Sequence, residues 1–540
     1  MVLEKMLSSV RNADVFLSKK PWLAFIFFII LVVFLRWSSF YQSVISWDES
    51  LYLLVAKAWS NGNPPYTTVW DNKPPGIYAI FLTAISILGH SVLSIRILAC
   101  FFVATTCFFL YKIGGLIEHN GKGIGLLAGG FYAVATLNNG GIAANTEIFY
   151  SMFVVAAFYL FFSKFLDVRE LSSSYYLKLL LIGFLLGIGF EIKYVVLFDF
   201  LALFLILIAV FILRIESSTK YRSILQASSL ISLGFVLPFI IVSLYFWLIG
   251  HFDDYVYANF TANKLRTVGL EFSITPLVQA IAYQVQTNKF FWLSIPSAAI
   301  YLFIAKPKSL REKWVISGFI VWFFVIILGI CAVFRGYLYI HYFLQLSPAL
   351  CFITAYVLIR LIFFNLGREA QSEFRQYLIL AALLIILLDN AGIFGTFKTN
   401  VRYAYFTHIK GIKHWQDTPA LIAEYLKPNV KPNDYIYVVD NAPIVYFLVD
   451  AKIPTRYAFP PFLLIRPDLP NITGVNSLEE LERILQKQPT YIIKPRTFQD
   501  LAQVDDNKNF INRLNQALEQ SYRRETSIQE FDLYRLGTKS

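Results

Sequence analysis

The residues best suited to chemistry lie between Trp47 and Gly76, in the stretch WDESLYLLVAKAWSNGNPPYTTVWDNKPPG. Asp48 and Glu49 form an acidic pair, Asp71 supplies a third carboxylate, and Lys73 stands directly ahead of Pro74 and Pro75. A carboxylate beside an apolar surface is desolvated, which moves it toward the range of a general base. Such a base would take a proton from an acceptor hydroxyl or amine. The plainer reading of Asp48 and Glu49 is a pair of solvated loop acids that start LYLLVAKAW as a helix. Lys73 is biased to an extended conformation by the proline after it, and Pro75 stiffens the next step. A lysine held in this way at a lipid boundary suits a phosphate group; an interfacial lysine that snorkels is the alternative.

Further candidates lie downstream. Glu147 closes NNGGIAANTE and abuts the apolar run IFYSMFVVAAF. It reads either as a second outer acid facing Asp48 or as an acid favoured by a helix N-terminus alone. Lys264 and Arg266 sit in YANFTANKLRT, and with Arg335 they have the chemistry to clamp phosphate oxygens; ordinary surface charge is the alternative. Tyr66 and Asp71 in the first loop, and His341 and Tyr342 in HYFLQLSPAL, are candidate substrate contacts. An interfacial aromatic belt also accounts for Tyr342. Glu191, Lys193 and Asp199 flank a boundary between apolar runs, where a Glu191–Lys193 ion pair would join a tight helical hairpin.

The elements that must position these groups are membrane helices. The chain of 540 residues is 57% hydrophobic, 17% aromatic and only 15% charged, with a mean hydropathy of +0.57. Soluble domains carry about 25% charged residues. Apolar runs fall at about 21–40, 91–112, 123–137, 147–166, 177–193, 195–213, 225–250, 290–305, 314–334, 342–364 and 376–394. They predict about eleven crossings, and the runs lack the alternation of a barrel. The net charge of +12 comes mostly from short interhelical loops, where lysine and arginine report topology rather than nucleic-acid binding. Lys112 and Lys122; Lys164, Arg169 and Lys178; Arg214, Lys220 and Arg222; KPKSLREK; and Arg360, Arg368 and Arg375 all fall on the side of the N-terminus. That side is the cytoplasm. The alternation holds if residues 76–90 lie against the outer side as a short helix instead of crossing. The first apolar run has no small-residue cleavage site behind it and reads as a retained helix.

This places the 41–75 loop, residues 138–147, loop 251–289, FRGYLYIHYF and the tail outside. From about 395 onward the composition turns polar. DYIYVVD, TYIIKP and EFDLYRL have strand composition, whereas PALIAEYLK, SLEELERILQKQ and FINRLNQALEQ have helical periodicity. A small α/β domain over 395–540 is expected beside a transmembrane domain over 1–394. No G-x-G-x-x-G follows a strand, so a dinucleotide is not called for. Cys100, Cys107, Cys331 and Cys351 all lie in apolar runs, without the spacing of a disulfide framework or a zinc finger.

WDE after the first helix, KPPG about 25 residues later and a second outer acid on such a scaffold resemble the GT-C superfamily of membrane glycosyltransferases. More narrowly, the chain is similar to the bacterial branch that holds protein O-mannosyltransferases and the aminoarabinose transferases of lipid A. HYFLQLSPAL is similar to a tyrosine-containing segment of that branch. The resemblance covers roughly residues 20–365. It implies a polytopic α-helical protein of the plasma (inner) membrane with a cytoplasmic N-terminus and an extracytoplasmic C-terminal domain. It implies an inverting transferase that moves a sugar from a polyprenyl-phosphate donor to a lipid, glycan or protein acceptor outside the membrane. On this resemblance Asp48 activates the acceptor, Glu49 supports it, Lys73 holds the lipid phosphate, and Glu147 is the second acid. Lys264 and Arg266 match additional phosphate-binding cations. The aminoarabinose enzymes favour an acid where Asn72 stands. Here the acid is displaced to Asp71, which tells against a metal site at this position, while the need for a divalent metal elsewhere stays open. The C-terminal segment is not the β-trefoil of eukaryotic mannosyltransferases, which does not favour protein O-mannosylation. A flippase of a lipid-linked glycan and a non-catalytic membrane scaffold are the rival classes. A flippase calls for mid-membrane charge and repeated halves, and a scaffold predicts that Asp48 is freely replaceable.

Overall fold

The structure, a computed structural model, describes residues 20–117, 121–215, 220–265, 274–304, 309–333, 339–365, 393–466, 472–498, 501 and 504–537. Among these, seven helices are long and apolar enough to cross a membrane: Val92–Gly114, Thr146–Phe165, Ser173–Phe190, Val196–Arg214, Lys220–Leu248, Leu310–Val333 and Ile340–Arg360. Shorter apolar helices run Pro21–Leu35, Gly76–Leu88 and Lys289–Phe303. The chain is a multi-pass membrane protein, with fewer full-length spans among the described residues than the eleven runs suggest. The run at 123–137 becomes the 15-residue helix Gly121–Ala135, and the run at 376–394 lies almost wholly outside the described residues. Gly76–Leu88 has 13 residues. At 1.5 Å per residue that is about 20 Å, short of the roughly 30 Å of hydrocarbon.

The chain forms two compact units. The first comprises Met1–Trp37, Ile97–Val242 and Glu271–Val401. The second comprises Ser38–Arg96, Ser243–Leu270 and Arg402–Ser540. This division differs from the expected 1–394 and 395–540, because the 41–75 loop and its flanking helices pack with the tail. Apolar helices in lipid gain little from burying more apolar surface, so close backbone approach does the work of association. In the first unit Gly183 and Gly187 of one helix face Ile231, Gly234 and Phe235 of another. A Cβ on Gly183 would lie 2.0 Å from the Ile231 carbonyl oxygen, and one on Gly234 2.2 Å from that of Leu180.

The second unit carries a four-stranded sheet of order β1-β2-β4-β3. Its strands are β1 (Ile436–Val438), β2 (Tyr491–Pro495), β3 (Tyr522–Ile528) and β4 (Phe531–Leu536). β1 and β2 pair in parallel with Ile436 opposite Tyr491, and Ser477–Gln486 supplies a helix in the connection between them. β4 pairs antiparallel with β2 and with β3, the latter with a bulge between Arg524 and Thr526. Three strands and three helices of this α/β part coincide with the segments expected from sequence. β3 does not, because YRRETSI is polar and largely exposed.

Candidate active site

Helix Trp47–Ser60 begins where the sequence places its acids. Glu49 sits in the first turn and reaches back, accepting from the backbone N–H of Ile45 at 2.6 Å and of Ser46 at 3.2 Å. This satisfies amides that the helix itself leaves unpaired. Its two oxygens also take both Nη groups of Arg96, at 2.5 and 2.6 Å. Glu49 and Arg96 are 1% and 2% exposed. Four donors hold this carboxylate, three on Oε1 and one on Oε2, and they fix Glu49 beside Asp48. Asp48 differs. It is half-buried and, among the described residues, has no hydrogen-bond or ion-pair partner.

The second motif folds into a compact turn. Asp71 is 1% exposed; its Oδ1 accepts from the Asn72 N–H at 2.7 Å and its Oδ2 from the Tyr78 hydroxyl at 2.9 Å. Burial holds its carboxyl above the usual range against the pull of the Lys73 charge, and the negative charge of Asp48 adds to the rise. Asp48, Asp71 and Lys73 therefore share one electrostatic neighbourhood. Lys73 is half-buried, and its Nζ donates to Asn72 Oδ1 at 3.3 Å. Its backbone is held by the Tyr66 hydroxyl, which donates to its carbonyl at 2.8 Å, and the oxygen of Tyr78, whose hydrogen goes to Asp71, lies 3.3 Å from the same carbonyl. Tyr66 is fully buried, with φ at 76° and its ring 5.5 Å from Phe246. Such a backbone costs free energy for a bulky residue and persists only where packing enforces it. Tyr66 and Asp71 therefore shape the turn that carries Lys73, and both are buried within it.

Asn72 Nδ2 donates to Asn263 Oδ1 at 3.0 Å, and Asn263 Nδ2 donates to the Asn72 carbonyl at 3.2 Å. This pair ties the turn to Ala262–Leu265, where Lys264 is exposed. Two of the expected phosphate-binding cations, Lys73 and Lys264, thus stand next to residues bonded to each other. The other two, Arg266 and Arg335, lie outside the described residues. No group of three or more His, Cys, Asp or Glu side chains converges among the described residues in a way that could hold a metal ion.

Glu147, His341 and Tyr342 belong to the first unit. Glu147 opens helix Thr146–Phe165, accepts from Thr146 Oγ1 at 3.0 Å and forms a buried ion pair with Lys193. Lys193 also lies 4.5 Å from the Tyr342 ring centroid, and His341 stacks on Tyr339 at 5.5 Å. The cavity among Glu147, Lys193, Tyr342 and Gln345 is about 10 Å³, no larger than a single water needs. The expected Glu191–Lys193 pair is absent among the described residues. Lys193 turns to Glu147, leaving both Glu191 oxygens buried without a partner there.

Residues 72–247 match the profile of the dolichyl-phosphate-mannose-protein mannosyltransferase family. ArnT from Cupriavidus metallidurans, crystallised with undecaprenyl phosphate, superposes with a TM-score of 0.60 at 12% identity, over 95% of this chain and 98% of that one. The oligosaccharyltransferase of Archaeoglobus fulgidus, tethered to an acceptor peptide, superposes with a TM-score of 0.51 at 12% identity, over 97% of this chain and 75% of that one. This is the GT-C fold. No curated protein sequence matches the chain. The GT-C resemblance read from WDE and KPPG holds for the fold, and the profile match begins one residue before Lys73. What the motifs did not reveal is the partner of Glu49. The signal for it was present, because Arg96 is a charge set inside the apolar run VLSIRILAC, and such residues are rarely idle. Arg36 follows the same logic: buried at 1% exposure, it donates to the carbonyls of Thr136, Gly141 and Ile142 and fixes the loop before Glu147.

Proposed function

We propose that the chain is a membrane glycosyltransferase that moves a sugar from a polyprenyl-phosphate donor to an extracytoplasmic lipid, glycan or protein acceptor, with inversion. The observation that carries this reading is Asp48, a half-buried carboxylate without a described partner, beside a neighbour locked by Arg96, on a GT-C fold. The acceptor oxygen or nitrogen attacks the anomeric carbon while Asp48 takes its proton. The bond from that carbon to the phosphate oxygen breaks, and its electron pair leaves with the lipid phosphate. Lys73 pairs with the charge that develops there, with Lys264 as a second cation. The fixed turn at Asp71–Lys73 supplies the orientation on which such positioning catalysis depends. Loop charge supports an active face outside the plasma membrane, with the N-terminus in the cytoplasm. The test is consumption of undecaprenyl-phosphate-linked sugars by the purified chain, with released undecaprenyl phosphate as the readout. Turnover that Asp48→Asn abolishes and Lys73→Ala weakens is the expected result. No turnover with any donor, or full turnover by a folded Asp48→Asn, overturns the reading.

A further inference from the structure

Within the second unit a polar cavity of about 270 Å³ opens beside the start of helix Trp47–Ser60. Gln42 and Trp47 line it from the chain leading into that helix, Gln416 and Asp417 from the start of Thr418–Leu426, Asn441 from beyond β1, and Glu530 from the turn between β3 and β4. None of these side chains has a part in the proton transfer or phosphate binding described above. Asn441 is 5% exposed. Its Oδ1 accepts from the Ala442 N–H at 2.6 Å, which sets the amide so that Nδ2 is the free end. That Nδ2 is buried and has no partner among the described residues. A buried N–H in this setting calls for an acceptor.

Two further lining residues are held in place. The Asp417 carboxylate accepts from Ser43 N and Oγ, both at 2.6 Å, and from Ala420 N at 3.2 Å. The Trp47 indole has the Arg466 guanidinium 5.5 Å from its centroid and Phe459 edge-on at 6.2 Å, yet stays half-exposed. The lining holds the carboxylates of Asp417 and Glu530 and neither lysine nor arginine, so it disfavours a phosphate. Sites for drug-sized ligands run from about 300 Å³ upward, and this cavity falls just below, at the scale of one six-membered sugar ring. Amides and carboxylates match ring hydroxyls, while an indole surface suits the ring's apolar face.

We infer that this cavity holds one sugar ring of the acceptor, neutral or amine-bearing, within one residue of Asp48 along the chain. Naming the occupant as the acceptor's rests on the transferase reading; the binding of a sugar ring does not. The test is saturation-transfer NMR on the purified full chain in detergent, titrated with methyl α-mannoside, N-acetylglucosamine and glucosamine. At least one probe binds at millimolar concentration, Asn441→Leu and Glu530→Gln each weaken it fivefold or more, and saturating undecaprenyl phosphate leaves it unchanged. Glu530 is exposed, so its variant decides the matter where Asn441→Leu fails to fold. Absence of binding by every probe, or unchanged binding in Glu530→Gln, overturns the site. Displacement by undecaprenyl phosphate overturns its assignment to the acceptor. A chain that binds sugar here and consumes no lipid-linked donor fails only the transferase reading, whereas one that turns over and binds no sugar here fails only this inference.

Discussion

At the start of helix Trp47–Ser60 two adjacent carboxylates are treated in opposite ways. Glu49 is wrapped by Arg96 and by two backbone amides, whereas Asp48 is left half-buried and without a described partner. In the first unit Glu147 and Asp199 resemble Glu49 rather than Asp48, whereas Glu191 is buried without a partner among the described residues. Glu147 is neutralised by Lys193, and Asp199 accepts from the Trp322 indole N–H at 2.6 Å and the Gln345 amide at 2.7 Å. Glu191 is neutralised by a proton, since burial pushes its carboxyl up to about 8. Charge inside a membrane protein is costly unless balanced, and balanced charge is structural. At the start of helix Trp47–Ser60 balance is withheld at Asp48, while its neighbour Glu49 is fixed beside it.

The contrast breaks most visibly at Asp48. Asp48→Asn keeps shape and removes the base, so transfer falls about 10²–10⁴-fold, the usual worth of general acid–base catalysis, with thermal unfolding unchanged. Should Glu147→Gln lose activity as steeply at unchanged stability, the two acids would not differ in kind. Next in size are the balanced pairs. Arg96→Met strands Glu49, and Lys193→Met strands Glu147. Removing one partner of a buried ion pair costs roughly 3–5 kcal/mol, to be read as a lowered midpoint of thermal unfolding in detergent. The double variant Glu49→Gln, Arg96→Met recovers most of that loss. A single variant that unfolds like the wild type would mean the pair is not buried in the membrane-embedded protein.

Glu191 sharpens the comparison through pH. In the unfolded chain its carboxyl has the ordinary value of 4.5, and in the folded protein about 8. Between those values the folded state keeps a proton that the unfolded chain has released, so stability falls as pH rises through the window. From pH 6 to 8 the loss is roughly 1–3 kcal/mol, at up to ~1.4 kcal/mol per pH unit. Glu191→Gln removes that slope. Parallel pH profiles of unfolding for the two proteins would show that Glu191 is ionised and paired.

Much of this was legible beforehand, for identifiable reasons. Apolar runs, KPPG and the strand-and-helix alternation of the tail are local signals, and the fold follows them at most positions. What was not legible is long-range pairing: closeness in sequence suggests Glu191 with Lys193, whereas Lys193 goes to Glu147. Burial and ion pairing are set by residues far away in the chain: Arg96 for Glu49, Asn263 for Asn72, Lys193 for Glu147. Even the division into units crosses the sequence, with residues 38–96 and 243–270 joining the tail.

The smallest effects test whether the fixed surroundings of the unpaired acid matter to the chemistry. Lys73→Ala removes a charge-assisted contact worth about 1.5–3 kcal/mol, so undecaprenyl phosphate should bind the purified chain tenfold or more weakly. Tyr66→Phe leaves Lys73 in place and deletes the hydrogen bond from Tyr66 to its carbonyl. The stability cost is about 0.5–1.5 kcal/mol. If this bond positions the lysine, affinity for undecaprenyl phosphate also falls, by about two- to threefold, because some of the bound geometry must be organised at binding. A loss of stability with unchanged affinity would make Tyr66 a packing residue alone. The turn would then be rigid for the fold's sake, and Lys73 would find the phosphate through its own side-chain reach.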